Sequence, residues 1–286
     1  KNMKKHEKIA LVIEGGGFKS VFSAGVLDAF LINKFQPFDM YIGVSSGAMC
    51  LSYYVANQYK TYFSLSKEVS VNEKFLSYRH ALSEQGYMDL NFLSKYAKEH
   101  NPLDLKKIIE STENKELYIV ATNLENGEAV YLEPDKKNFY KCLQATSSLP
   151  FFTKGSCEIN CVNFMDGAWS DGIPVKAAAE FGATKVIVIR PNPLGYKMAG
   201  LSYLGLLAGY WWRNNPEVRD NFFKEDNKYN EAVDFLAEKH ESLEVLQICP
   251  DSFLKSRVVG TSVDDLTEDY HAGLEKGMDF LSTYFK

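Results

Sequence analysis

The chain has 286 residues and a formal net charge of -5, with 45% hydrophobic and 24% charged residues, the balance of a globular protein with a large core. That acidic balance excludes the basic footprint of nucleic-acid binding; the one basic cluster, Lys1, Lys4, Lys5 and Lys8, reads as a solvated tail. No apolar run reaches the ~20 residues of a spanning helix, and 9–13 is too short for a signal-peptide core; with an odd count of five cysteines, a soluble cytoplasmic protein is expected.

In chain order, residues 8–13 read as a short buried strand broken by Glu14-Gly15-Gly16-Gly17. Residues 20–33 show helical spacing, with Val21, Ala24, Leu27 and Leu31 on the apolar face. A second strand at 40–43 and a second helix at 46–59 follow. The polar, aromatic stretch 61–111 reads as mostly helical, with Asn101-Pro102 as a break. Strands at 116–124 and 128–132 flank Asn126-Gly127, a tight-turn signal in which both central residues take positive φ. A helix over 139–147 stops before Pro150, and a second hairpin, 158–165, leads into Asp166-Gly167.

Cys157 and Cys161 would share one face of an extended strand; with no histidine nearby they read as packing residues, and no metal or other cofactor is expected. Pro174 opens a helix where its missing N–H does no harm, and 185–190 is another buried strand. Two long helical regions then surround a strand at 243–248, with Ser262 and Asp265 as a capping box for a last helix over 263–285. Strands alternating with helices predict an α/β fold, a mainly parallel central sheet sandwiched by helices, with a helical C-terminal part at 195–286. No repeat or linker divides the chain, so 1–286 reads as a single domain.

Three places carry chemistry. Gly43-Val44-Ser45-Ser46-Gly47 is a G-x-S-x-G between strand and helix. There a sharp turn lifts the serine oxygen above the sheet, and glycine keeps its flanks clear. The following helix points its positive end at the turn; the alternative is an ordinary glycine-rich turn. Gly15-Gly16-Gly17-Phe18-Lys19-Ser20 is a second strand-to-helix loop, whose glycines leave backbone N–H groups uncovered. The dinucleotide fingerprint fails because Ser20 replaces its third glycine and no acidic residue closes the next strand; the phosphate-binding loop lacks its Gly-Lys-Ser/Thr ending. An oxyanion hole fits better, since parallel strands would set this loop beside Ser45.

The third place is Asp166-Gly167-Ala168. A serine hydroxyl needs a base, yet His6 is in the tail and His80, His100, His240 and His271 fall in helical, charged segments. Asp166, at a strand end, has the setting of a site carboxylate; Asp171, before Gly172, lies further into the loop and is the weaker candidate.

These motifs, in this order, resemble the patatin-like phospholipase family. Ala145-Thr146-Ser147-Ser148-Leu149-Pro150 and Ile173-Pro174-Val175 resemble its intervening and following segments, so the likeness spans about 8–192. The resemblance implies an α/β/α sandwich, a Ser–Asp dyad without histidine, and hydrolysis of acyl esters in phospholipids or neutral lipids. It makes Ser45 the nucleophile, Asp166 the proton acceptor, and the N–H groups around Gly16, Gly17 and Phe18 the oxyanion hole. Gly15 and Lys19 belong to the same loop, Gly43 and Gly47 to the nucleophile turn, and Gly167 and Ala168 to the third motif.

The family usually has arginine and glycine where this chain has Lys19 and Ser20. Lysine loses the planar two-point grip on phosphate, which leaves the head group open while ester hydrolysis stands; Ser20 is expected to cost backbone freedom. Other readings are an esterase or thioesterase for small soluble acyl groups, and a non-catalytic lipid-binding protein. Residues 198–212 are apolar nearly all round, which suits a lid or an interfacial helix with paired tryptophans and peripheral membrane contact, or equally a buried core helix.

Overall fold

A computed structural model describes residues 7–77, 86–150, 152–200 and 203–285. Its centre is a run of strands whose residues are apolar without alternation, the pattern of strands covered on both faces. These are β1 (Ile9–Ile13) and β2 (Met40–Val44), buried throughout, with β3 (Glu116–Asn123) and β7 (Lys185–Ile189). β4 (Ala129–Leu132), β5 (Cys157–Ile159), β6 (Val162–Asp166) and β8 (Glu244–Ile248) complete the sheet. The order is β5-β6-β3-β2-β1-β7-β8, with β4 also paired to β3. The run from β3 to β8 is parallel, whereas β4, β5 and β6 pair antiparallel.

Helices cover both faces. They are α1 (Ser20–Ile32), α2 (Ser46–Val55), α3 (Thr61–Ser70), α4 (Leu90–His100), α5 (Leu105–Ser111) and α6 (Phe139–Thr146). Beyond them come α7 (Ala168–Asp171), α8 (Val175–Glu180), α9 (Tyr203–Trp211), α10 (Pro216–Phe223), α11 (Glu225–Ala237) and α12 (Val263–Tyr284). Alternate residues of β1 feed two cores. Ile9, Leu11 and Ile13 pack with residues of α1, α2 and α12, while Ala10 and Val12 pack with residues of α8 and α11. The expected mainly parallel sheet between helical layers is the observed architecture.

The register sets the functional end. Ile13 lies opposite Gly43, so the loops after β1 and β2 leave side by side from the same edge. β3 outruns β2: Val44 faces Val120, and Asp166 of β6 faces the next residue, Ala121. The sheet itself therefore brings the ends of β2 and β6 together.

Several local expectations are corrected. The second helix stops at Val55, because Asn57 and Lys60 take left-handed conformations with φ of 56° and 59°. The stretch 61–111 holds α3, α4 and α5 plus a bridge between Leu76 and Met88; the expectation for 78–85 lies outside the described residues. At Asn126-Gly127 the hairpin is real, but the loop is wider. The Gly127 N–H donates to the Asn123 carbonyl at 2.8 Å, and of the two only Gly127 has positive φ. The tight turn with two positive φ values falls at Asn160-Cys161 instead, which takes Cys161 off the strand of Cys157 and leaves it exposed.

Pro216 splits the first C-terminal helical region. α9 is no buried core helix: Ala208 packs with Val218 and Phe222, but Leu206, Leu207, Tyr210 and Trp211 are exposed. The tryptophans are not paired at a boundary either, since Trp212 turns in against Phe222. Ser262 does cap α12, accepting the Asp265 N–H at 3.1 Å.

Candidate active site

Ser45 sits where β2 turns into α2, with φ 54° and ψ −133°, a conformation that L-residues adopt only under constraint. The constraint is visible. A Cβ at Gly43 would stand 2.5 Å from Ala48 Cα, and one at Gly47 would stand 2.6 Å from the Glu14 carbonyl oxygen. The Ser45 N–H donates to Thr146 Oγ1 at 2.7 Å, and that hydroxyl donates to the Val120 carbonyl. Thr146 thus ties the turn to β3, a role that the sequence, which marked 145–150 only as a segment resembling the family's, did not assign.

Asp166 is anchored as firmly. Its N–H donates to the Ser148 carbonyl at 2.8 Å, and its own carbonyl accepts from Thr122 Oγ1 at 2.8 Å. Its carboxylate takes one bond on each oxygen: Ala168 N–H to Oδ1 at 2.9 Å, and Ser45 Oγ to Oδ2 at 2.6 Å. The residue is only 1% exposed. Burial pushes its pKa up to about 6, against the opposing pull of the Ser45 and Ala168 hydrogen bonds. A carboxylate so placed can take a proton from the serine hydroxyl once ionised.

Asp171 is elsewhere, accepting from Tyr131 Oη at 2.7 Å. His100 packs at a tilt on Tyr96, and His271 packs beside Tyr270. His240 lies between α11 and β8 rather than within a helix, its ring nitrogen 2.9 Å from the Phe235 carbonyl. None of these three lines the cleft at Ser45; His6 and His80 lie outside the described residues. Among the described residues no group of three or more His, Cys, Asp or Glu is gathered to hold a metal.

The glycine-rich loop stands beside Ser45, and its amides divide. Gly16 N–H donates to Ser46 Oγ at 3.1 Å, Phe18 N–H to the Val258 carbonyl at 3.3 Å, and Lys19 N–H to the Gly16 carbonyl at 3.2 Å. The Gly17 N–H has no partner among the described residues, and Gly17 lines the cleft. Of the three expected donors, one is open and two are engaged. Ser20 begins α1 with φ −66°, so it costs no backbone freedom, and its hydroxyl bonds Ser46 Oγ at 2.7 Å.

Lys19 is engaged within the protein. Its ammonium donates to Asn192 Oδ1 at 2.6 Å, and burial lowers its pKa against the pull of Glu14 and Asp269. Asn192 in turn donates to Glu14 Oε1 at 2.9 Å, while buried Arg190 donates to Glu14 Oε2 at 2.9 Å.

Ser45 opens onto an apolar cleft with about 630 Å³ of empty space, open mouth included, walled by Met49, Leu65, Val69, Phe75 and Leu93 among others. A second void, with about 370 Å³ of empty space when its open mouth is included, shares Met49, Leu90, Leu93 and Ser147 with it and runs on to Tyr53 and Ala97. Ser45, Met49 and Tyr53 are spaced by four, so one face of α2 borders both voids.

A family model described as patatin-like phospholipase matches residues 11–179. Another, described as a domain of unknown function (DUF6363), matches 215–286. Over 283 residues the chain is 29% identical to the uncharacterized protein YjjU of Escherichia coli K12, covering 98% of this chain and 78% of that protein. The crystal structure of VipD from Legionella pneumophila aligns with a TM-score of 0.48 and 12% identity, covering 97% of this chain and 67% of that one.

Proposed function

The chain belongs to the patatin-like phospholipase family, and on that footing we propose that it is a serine acyl hydrolase of lipid esters, with Ser45 as nucleophile and Asp166 as its base. The observation that carries the reading is the 2.6 Å hydrogen bond from Ser45 Oγ to Asp166 Oδ2 at an apolar cleft.

Ser45 Oγ attacks the ester carbonyl carbon and its proton passes to Asp166 Oδ2. The oxyanion forms beside Gly17, whose open amide is the first donor, with the N-terminal end of α2 behind it. Collapse breaks the bond to the alcohol, which leaves with the proton from Asp166. Water then gives a proton to the same carboxylate and attacks the acyl-serine, and as the fatty acid leaves, Asp166 returns that proton to Ser45 Oγ. Gly15, Gly16, Phe18 and Lys19 shape the loop, Gly43 and Gly47 the serine turn, and Gly167 and Ala168 the carboxylate's seat.

The apolar walls along α2 support an acyl chain as the part of the substrate that is recognised. The exposed apolar residues Leu206, Leu207 and Tyr210 of α9 support peripheral contact with a lipid surface; among the described residues no helix is long and apolar enough to cross a membrane. We also take 1–286 as one folding unit, because β8 extends the same sheet and α12 shares the core of α1.

Hydrolysis of p-nitrophenyl esters of graded acyl length tests the proposal. Turnover is expected, with kcat/KM rising from acetyl to longer chains; absence of turnover on every ester, and on phospholipid vesicles, overturns it.

A further inference from the structure

Not every residue that holds the glycine-rich loop comes from the stretch matched as patatin-like. Val258 lies between β8 and α12, within the segment matched only as a domain of unknown function. Its carbonyl accepts the Phe18 N–H at 3.3 Å, and it lines the cleft together with Gly17 and Ser45. The contact with Gly17 is intimate. Gly17 has φ 59°, and a Cβ there would stand 2.2 Å from the Val258 oxygen. In so close a packing neither backbone moves without the other.

The Val258 loop is itself pinned from α12. Buried Asp269 accepts the backbone N–H groups of Lys255 at 3.2 Å and Ser256 at 2.6 Å. α12 is locked to α1 in turn: a Cβ at Gly25 would meet the Tyr270 carbonyl oxygen at 2.1 Å, and Tyr270 Oη donates to Asp28 at 2.7 Å. A second tie comes from α11. Tyr229 Oη donates to Glu14 Oε1 at 2.8 Å and accepts from Arg190 at 2.9 Å, and Glu14 directly precedes the glycines.

Consecutive glycines have the greatest backbone freedom of any residues. An amide donor carried on them is preorganised for a developing oxyanion only when neighbours hold it. Beside Ser46, which takes the Gly16 amide, and Arg190, which holds Glu14, two of the neighbours are C-terminal: Val258 on the loop itself and Tyr229 through Glu14.

We propose that the C-terminal segment 215–286 is a clamp that holds the oxyanion loop in its working shape, with Asp269 and Tyr229 as positioning residues. The proposal rests on the hydrolase reading above. It gives the segment of unknown function a part in the chemistry: without touching the substrate ester through Asp269 or Tyr229, it fixes where the Gly17 amide stands.

The test uses the full chain with Asp269→Asn, Tyr229→Phe and, as a control, Leu281→Ala, which removes buried side chain from the far end of α12. For each, kcat and KM on a short-chain p-nitrophenyl ester, the rate of labelling by a small fluorophosphonate, and Tm are measured. Asp269→Asn and Tyr229→Phe should lower kcat and labelling rate by about tenfold or more, with KM within about twofold. Leu281→Ala should lower Tm and leave kcat in place.

If Asp269→Asn fails to fold, Tyr229→Phe, which deletes one hydroxyl, decides alone. Wild-type kcat and labelling rate in the folded positioning variants overturn the clamp while leaving the hydrolase intact. So does a Leu281→Ala loss of kcat as large as theirs. A wild-type protein that neither labels nor hydrolyses overturns the hydrolase reading and the clamp with it.

Discussion

Replacing Asp166 by asparagine should make the protein more stable at pH 8 and inactive. Burial raises the Asp166 pKa from its ordinary 3.8 to about 6. Between those values the folded state holds a proton that the unfolded chain has released. The stabilisation from that proton is whole below pH 3.8, falls as pH rises through about 6, and is lost above it. At about 1.4 kcal/mol per pH unit, the ionised carboxylate costs the folded state roughly 3 kcal/mol at pH 8. Asparagine carries no charge, and its oxygen can still accept the Ala168 N–H while its amide faces Ser45 Oγ, so about 1–3 kcal/mol should be recovered. Urea unfolding at pH 8 and pH 4 reads this directly. Asp28 and Asp171 are also raised to about 6, so the wild-type curve slopes for several groups, but the difference from Asp166→Asn isolates one. A variant less stable than wild type at pH 8, or a gap that does not shrink towards pH 4, would refute the argument that burial dominates at this carboxylate.

The pH–rate profile follows from the same group with the opposite sense: as the proposed base, Asp166 would work only when ionised, so kcat/KM should fall below pH about 6 and stand at roughly a tenth of its plateau at pH 5. Replacing each of the five histidines by glutamine should leave kcat/KM within about tenfold, and a thousandfold loss at any one, in a folded protein, would demand a histidine base. Asp171→Asn, whose amide oxygen can still accept from Tyr131 Oη, should retain substantial turnover while Asp166→Asn does not; the reverse result reassigns the base. Met49→Trp should obstruct the passage from the first void to the second and cut turnover of long-chain esters about tenfold more than that of acetyl esters. An equal loss on both would mean the acyl chain takes another path.

The central sheet was legible because its strands announce themselves: Ile9–Ile13 and Lys185–Ile189 are short apolar runs without alternation, which only a sheet covered on both faces accommodates. The strand-to-helix context of Gly43 to Gly47 carried the serine turn in the same way. What escaped the sequence depends on register and on distant partners. The loop at Asn126-Gly127 is widened by the pairing of Thr122 with Ala129, which no local preference encodes. The engagement of the Phe18 amide depends on a carbonyl at Val258, and the inward turn of Lys19 on Asn192, both far along the chain. α9 looked apolar all round, and only its seat on Val218 and Phe222 of α10 decides which face is outside.

The most direct measurement is to label the protein with a fluorophosphonate and map the adduct by mass spectrometry. The account predicts a single adduct on Ser45 in the wild type, labelling slowed by orders of magnitude in Asp166→Asn, and none in Ser45→Ala although that variant stays folded. An adduct on any other residue, or undiminished labelling of Ser45→Ala, would contradict it.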